Sequence, residues 1–143
     1  MLAIMEKKTG FSTFIKWLGR TEMFARPSKR LPGKWQLIEF YVDAEEKLQN
    51  FKEASLKKNK MSLNLEFRDD GKFSRESNLP VTVFQNIEVG EWSVAKNFVT
   101  LIDPDNFRNN AEFQFAFEKE TLKLLKKDKL GKIEFFGFFK QLD

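Results

Sequence analysis

From Gly33 to Lys140 the chain repeats one pattern: short runs in which apolar and polar side chains alternate, separated by turn-forming residues. Successive side chains on a strand point to opposite faces, so alternation over four to eight residues marks a strand with one buried face. Eight runs qualify, over residues 34–42, 61–67, 73–77, 87–95, 98–102, 111–117, 122–127 and 133–140. Two are unambiguous. Leu63, Leu65 and Phe67 alternate with Ser62, Asn64 and Glu66, and Phe113, Phe115 and Phe117 alternate with Glu112, Gln114 and Ala116. In the first run, Trp35, Leu37 and Tyr41 are expected on one face, with Gln36, Ile38 and Phe40 on the other.

The connections are short. Arg68-Asp69-Asp70-Gly71-Lys72 carries an Asp-Gly pair, which supplies the positive φ of a hairpin turn. Lys96-Asn97 makes a second turn, residues 104–110 form a loop, and Gly131 marks a turn within residues 128–132. Gly90 signals a bulge or a close approach of backbones. Residues 79–84 are ambiguous because Pro80 interrupts them. Residues 43–60 are polar and compatible with helix, with Leu48, Phe51 and Leu56 as their few apolar positions.

Short connections make sequential strands antiparallel neighbours, and an eight-stranded meander removes both exposed edges by closing. The expected fold is therefore all-β, an eight-stranded antiparallel up-and-down barrel. A five-stranded oligonucleotide-binding barrel would leave three of the runs unexplained. An eight-stranded barrel either fills with its own side chains or holds one small ligand.

Residues 1–30 read differently. Seven basic side chains (Lys7, Lys8, Lys16, Arg20, Arg26, Lys29, Arg30) face two acidic ones, Glu6 and Glu22, whereas the rest of the chain is close to neutral. Phe11, Phe14, Ile15 and Leu18 fall at i, i+3, i+4 and i+7, one face of a short amphipathic helix. Pro27 and Pro32 bracket the junction, so residues 1–30 form a basic helical leader and residues 31–143 the barrel. The leader could dock on the barrel wall, lie on an anionic membrane surface or enter a partner protein's groove.

Gly33-Lys34-Trp35, opening the first strand after a helical leader, resembles the Gly-x-Trp motif of lipocalins. Gly90-Glu91-Trp92, followed by a turn and Phe98-Val99-Thr100-Leu101, is similar to the middle of bacterial lipocalin-like domains. Residues 65–73 look like their second hairpin. The resemblance covers residues 31–140. It implies a one-domain barrel in which Trp35 packs across a closed end beneath a basic residue from the last strand. Lys140 is the nearest candidate, a Lys where Arg is usual. The disulfide-bonded loops of secreted lipocalins are absent.

Composition narrows the chemistry. Seventeen Phe, three Trp and one Tyr make the chain 15% aromatic, and it has neither Cys nor His. Thiolate and imidazole metal sites, disulfides and Ser–His or Cys nucleophile systems are thereby excluded. Asp103-Pro104-Asp105-Asn106 offers oxygen ligands for a weak calcium ion but lacks a calcium-loop spacing. Among strand acids, Glu39 and Glu91 are the candidates for an inward carboxylate pair. No Gly-rich phosphate loop occurs. The expectation is a protein that is not an enzyme and uses no cofactor and no metal.

The candidate site is the barrel interior: Trp35, Leu65, Phe67, Phe73, Trp92, Phe113, Phe115, Phe117 and Leu124. Leu63, Leu122 and one parity of Phe135, Phe136, Phe138 and Phe139 join them. Two readings stand. Either the rings enclose a pocket for a small apolar ligand, or they fill the barrel and the protein is an interaction module working through its surface or leader. Because one outer face of the last strand must also be aromatic, it needs a cover, and the leader suits it. Nucleic acid is not an expected partner, since the basic residues cluster only in the leader. The chain shows no signal-like apolar run, no lipoprotein Cys and no apolar stretch of about 20 residues, so a cytoplasmic location is expected.

Overall fold

A computed structural model describes residues 27–44, 47–79 and 87–142. A single helical turn α1 (Pro27–Arg30) precedes β1 (Gly33–Ala44), β2 (Lys47–Phe51) and a short helix α2 (Glu53–Lys58). Then come β3 (Leu63–Phe67), β4 (Lys72–Ser77), β5 (Val89–Ala95), β6 (Phe98–Ile102), a 3-10 turn (Phe107–Asn109), β7 (Ala111–Glu118), β8 (Thr121–Lys127) and β9 (Ile133–Leu142). Every pairing is antiparallel. The order runs β1-β3-β4-β5-β6-β7-β8-β9, and β9 returns to pair with β1. Eight strands thus close into the expected barrel, and β2 adds a ninth strand outside it.

β1 explains the extra strand. Its first half, Gly33 to Gln36, pairs with β3, whereas Phe40 to Ala44 pairs with β2; its other edge pairs with β9 along most of its length. The polar stretch after β1 is therefore a strand and a six-residue helix rather than one longer helix. Pairing with the free edge of β1 satisfies its backbone, and Phe51 stacks on Phe40 with ring centroids 4.8 Å apart. Leu56 on α2 is buried in the core.

One face assignment inverts. The β1–β9 register shifts between Leu37 and Glu39, a bulge that places one extra residue on β1. Trp35 and Leu37 point inward before it, and Phe40 points inward after it, leaving Tyr41 on the outer wall beside Phe136 and Phe138. Strict alternation put Tyr41 inside and Phe40 outside because it carried parity through the bulge. In β9 the odd positions are internal: Phe135 and Phe139 belong to the inner core, while Phe136 belongs to a separate outer cluster.

Gly90 marks a close approach. A Cβ there would overlap the Ile102 carbonyl oxygen, so only glycine lets β5 and β6 pair at this spacing. Gly71, at φ 85°, supplies the left-handed residue of the β3–β4 hairpin. Residues 80–86, with most of the ambiguous 79–84 run, and residues 1–26, with the leader's helical face, lie outside the described residues.

Candidate functional site

Eight of the nine predicted interior residues are buried in one continuous inner cluster: Trp35, Leu65, Phe67, Phe73, Phe113, Phe115, Phe117 and Leu124. Trp92 is half-buried and packs against that cluster from the rim. The strands bring these side chains together in two groups at one end of the barrel. Trp35, Phe117 and Phe115 form a chain with centroid separations of 5.7 and 6.1 Å. Phe67 contacts Phe73 at 5.4 Å and Trp92, edge to face, at 5.6 Å. Rings at these distances are in packing contact, so this end is an aromatic plug.

The plug is capped from above. Trp35 Nε1 donates to the Leu31 carbonyl oxygen at 2.8 Å, and Leu31 is fully buried. Arg30 lays its guanidinium over the Phe117 ring, 4.3 Å from the centroid, and donates to the Lys119 carbonyl oxygen in the β7–β8 turn. The basic residue at the closed end is therefore Arg30, not Lys140. Lys140 is exposed, on the outer face opposite Gln36 and Thr121, because its even position in β9 points away from the axis. Arg30 was legible only as a leader charge; its role depends on α1 folding back across the barrel end.

At the opposite end, Leu56 from α2, Leu63, Leu79, Ile87, Phe40 and Phe135 continue the inner cluster. Arg75 stands in the register opposite Leu65, which places it on the inward face of β4. Its Nε donates to the Ile87 carbonyl oxygen at 2.7 Å. Burial lowers the Arg75 pKa from the ordinary arginine value, and the neighbouring Glu88 carboxylate pulls the other way; a guanidinium stays charged at neutral pH regardless. Periodicity gave no warning of this residue, because Phe73–Ser77 alternates with a charged side chain where an apolar one is expected.

Outside the wall, Glu66, Arg68, Lys72, Ser74, Glu91 and Asp103 border an open cleft of about 340 Å³. Lys72 and Glu91 pair across it at 3.1 Å, so its mixed charges are partly spent on one another. Glu91 accordingly stands on the outer face rather than inside, and Glu39 likewise accepts from Asn50 at the surface. Asp103 is committed too. Its carboxylate accepts from the Asp105 and Asn106 amides and from Asn109 Nδ2, at 2.9, 3.2 and 2.8 Å. That carboxylate organises the β6–β7 loop, as the turn chemistry of an Asp at such a position favours. Among the described residues, no three acidic side chains converge to hold a metal, and no helix is long and apolar enough to cross a membrane.

No family model matches the chain, and no curated protein matches it. Among solved structures the chain is similar to a lipocalin-like protein from Bacteroides uniformis, at 16% identity over 79% of this chain and 99% of that one, with a TM-score of 0.48. The strand order stands independently of that likeness. With β1 and β3 to β9 closed in sequence, Trp35 across one end and the N-terminal turn capping it, the chain folds as an eight-stranded antiparallel up-and-down barrel with β2 outside it.

Proposed function

We propose that this protein is a non-catalytic barrel that holds a small hydrophobic ligand in its interior, entering at the end opposite Trp35. The observation that supports this most is the difference between the two ends. One is plugged by contacting rings and capped by Leu31 and Arg30, whereas the other is bordered by α2, Leu79 and Ile87 around an inward-register Arg75. Apolar walls with few polar groups are the usual lining of a small-molecule site. Leu63, Phe113 and Phe135 line the wall in this reading, and Trp35, Phe67, Phe73, Trp92 and Phe117 form the closed base. The reading assigns no chemical step, cofactor or metal.

Titration of intrinsic tryptophan fluorescence with fatty acids and retinoid-like compounds tests it. Saturable quenching by at least one compound, weakened by Phe113→Ala, is the expected result. No saturable change with any of them removes the carrier reading.

A second reading has its own support: eight interior aromatic rings, Trp35, Phe40, Phe67, Phe73, Phe113, Phe115, Phe135 and Phe139, are fully buried, the condition of a filled core. A solid barrel would act as an interaction module through its surface. In that case Phe113→Trp, which adds volume to a filled interior, would lower stability by about 1–3 kcal/mol. A hollow barrel accepts the larger ring at little cost.

A further inference from the structure

The outer wall carries a second apolar surface. Ala116 on β7, Leu125 on β8, Phe136 and Phe138 on β9, Tyr41 on β1 and Leu48 on β2 form a band across five adjacent strands. Register places them on one face: Leu125 is opposite Phe136, Phe136 opposite Tyr41, and Lys123 opposite both Ala116 and Phe138. The band excludes water. Phe136 is 0% exposed, Leu125 and Ala116 are 2%, and even Lys123 is 3%. A side chain standing on the outside of a sheet meets lateral neighbours but is open above, so such exclusion calls for an apolar body over the strands.

We propose that this body is the protein's own N-terminal segment. The four apolar residues that share one helical face by their spacing, Phe11, Phe14, Ile15 and Leu18, are the ones this proposal assigns to Leu125, Phe136 and Phe138. Three observations favour this occupant. The spacing of those four residues makes one apolar face of a helix. The reach is sufficient: α1 is fixed beside the β7–β8 turn by the Arg30 contacts to Phe117 and Lys119. Residues 19–29 span up to about 36 Å when extended, against about 13 Å from Thr121 to Leu125 along β8. The width also fits, since three strands, β8, β9 and β1, measure about 10 Å from first to last and an eight-residue helix about 12 Å. Charge agrees with this placement. Glu39 and Asp43 rim the band on the outer face of β1, and the leader's polar side carries Lys16 and Arg20.

Absence of cysteine makes the test clean. In the full chain, Phe14→Cys is combined with Phe138→Cys or with Leu125→Cys, and as a control with Phe98→Cys on the opposite wall. Mild oxidation is expected to give an intramolecular disulfide, a faster monomer band on a non-reducing gel, for at least one of the first two pairs and not for the control. A disulfide-linked dimer in place of that band assigns the surface to a second copy and overturns the proposal. Hydrogen exchange on the unmodified full chain guards against variants that misfold. The amides of residues 14–18 are expected to exchange at least about a hundredfold more slowly than in a free peptide. Exchange at the free-peptide rate, slowed only when phosphatidylglycerol vesicles are added, overturns the proposal in favour of a membrane surface.

Discussion

The two halves of the barrel solve the same folding problem with different surfaces. β3 to β6 are apolar on the inside only; their outer face shows Glu66, Ser74, Lys72 and Glu91, and Val89 and Phe98 stand in water. β7, β8, β9 and β1 are apolar on both faces, with Phe135 and Phe139 inside and Phe136 and Leu125 outside. A one-sided sheet is the ordinary form of an antiparallel wall. A two-sided one buries side chains on its outer face as well, so the second half of this barrel is apolar towards the axis and away from it. The same residue type therefore has opposite standing on the two walls. Phe98 is 38% exposed and Phe136 not at all, although both point away from the axis.

Truncation separates them most sharply. Phe136→Ala is expected to cost about 3–5 kcal/mol, the range for deleting a buried ring. Phe98→Ser should stay within about 0.5 kcal/mol, as exposed substitutions do. Urea unfolding of both variants measures this difference; equal small effects would dissolve the distinction between the walls. Gly90→Ala comes next. The added methyl meets the Ile102 carbonyl of a paired strand, which cannot rotate aside, so a cost of about 1–3 kcal/mol is expected. That effect would show that the one-sided half owes its fit to backbone approach instead of side-chain layering. A neutral Gly90→Ala would mean that β5 and β6 separate freely there.

Alternation alone identified the barrel because parity survives wherever a strand is regular. Leu65, Phe67, Phe113, Phe115 and Phe117 all face the axis as their spacing requires. Parity fails where a residue is inserted, so the bulge near Ile38 exchanged Phe40 and Tyr41. β2 escaped notice for another reason. Lys47-Leu48-Gln49-Asn50-Phe51 has little alternation, and its strand state comes from the free edge of β1. Phe136 and Phe138 showed in the sequence that the last strand is aromatic on both faces. Nothing local announced that Ala116, Leu125 and Lys123 would join them, since that depends on the β7–β8–β9 register. Arg30 and Arg75 are the corresponding gaps in the candidate site. Arg30 owes its place to a chain reversal rather than to a period, and Arg75 holds an inward position of β4 with a charge that an apolar pattern does not anticipate.

Arg30 offers a smaller test, at the end where the two-sided wall meets the plug. Its guanidinium covers Phe117 while remaining largely in solvent, so Arg30→Ala is expected to cost about 0.5–1 kcal/mol. Arg30→Lys should recover only part of this, because an ammonium cannot lie flat on the ring and reach the Lys119 carbonyl together. Full recovery by Lys would reduce the cap to a matter of charge.

The smallest expected effect lies in the β6–β7 loop, the seam between the two walls. The Asn109 side-chain amide, followed by the Asp105 and Asn106 backbone amides, holds the Asp103 carboxyl below its ordinary pKa. A depressed folded-state pKa means that the native loop favours the ionised form. Its stabilisation is complete above the unfolded carboxylate value and is lost as pH falls through the lowered one. Asp103 is solvent-exposed, so the loss should be modest and local. Acid is expected to speed hydrogen exchange at Asp105 and Asn106, after correction for intrinsic rates, before it changes that of the β8–β9 ladder. Asp103→Asn, which keeps an acceptor without the charge, should remove that pH dependence. If the loop and the ladder instead loosen together, the seam transmits strain into the two-sided wall, and the halves unfold as one cooperative unit.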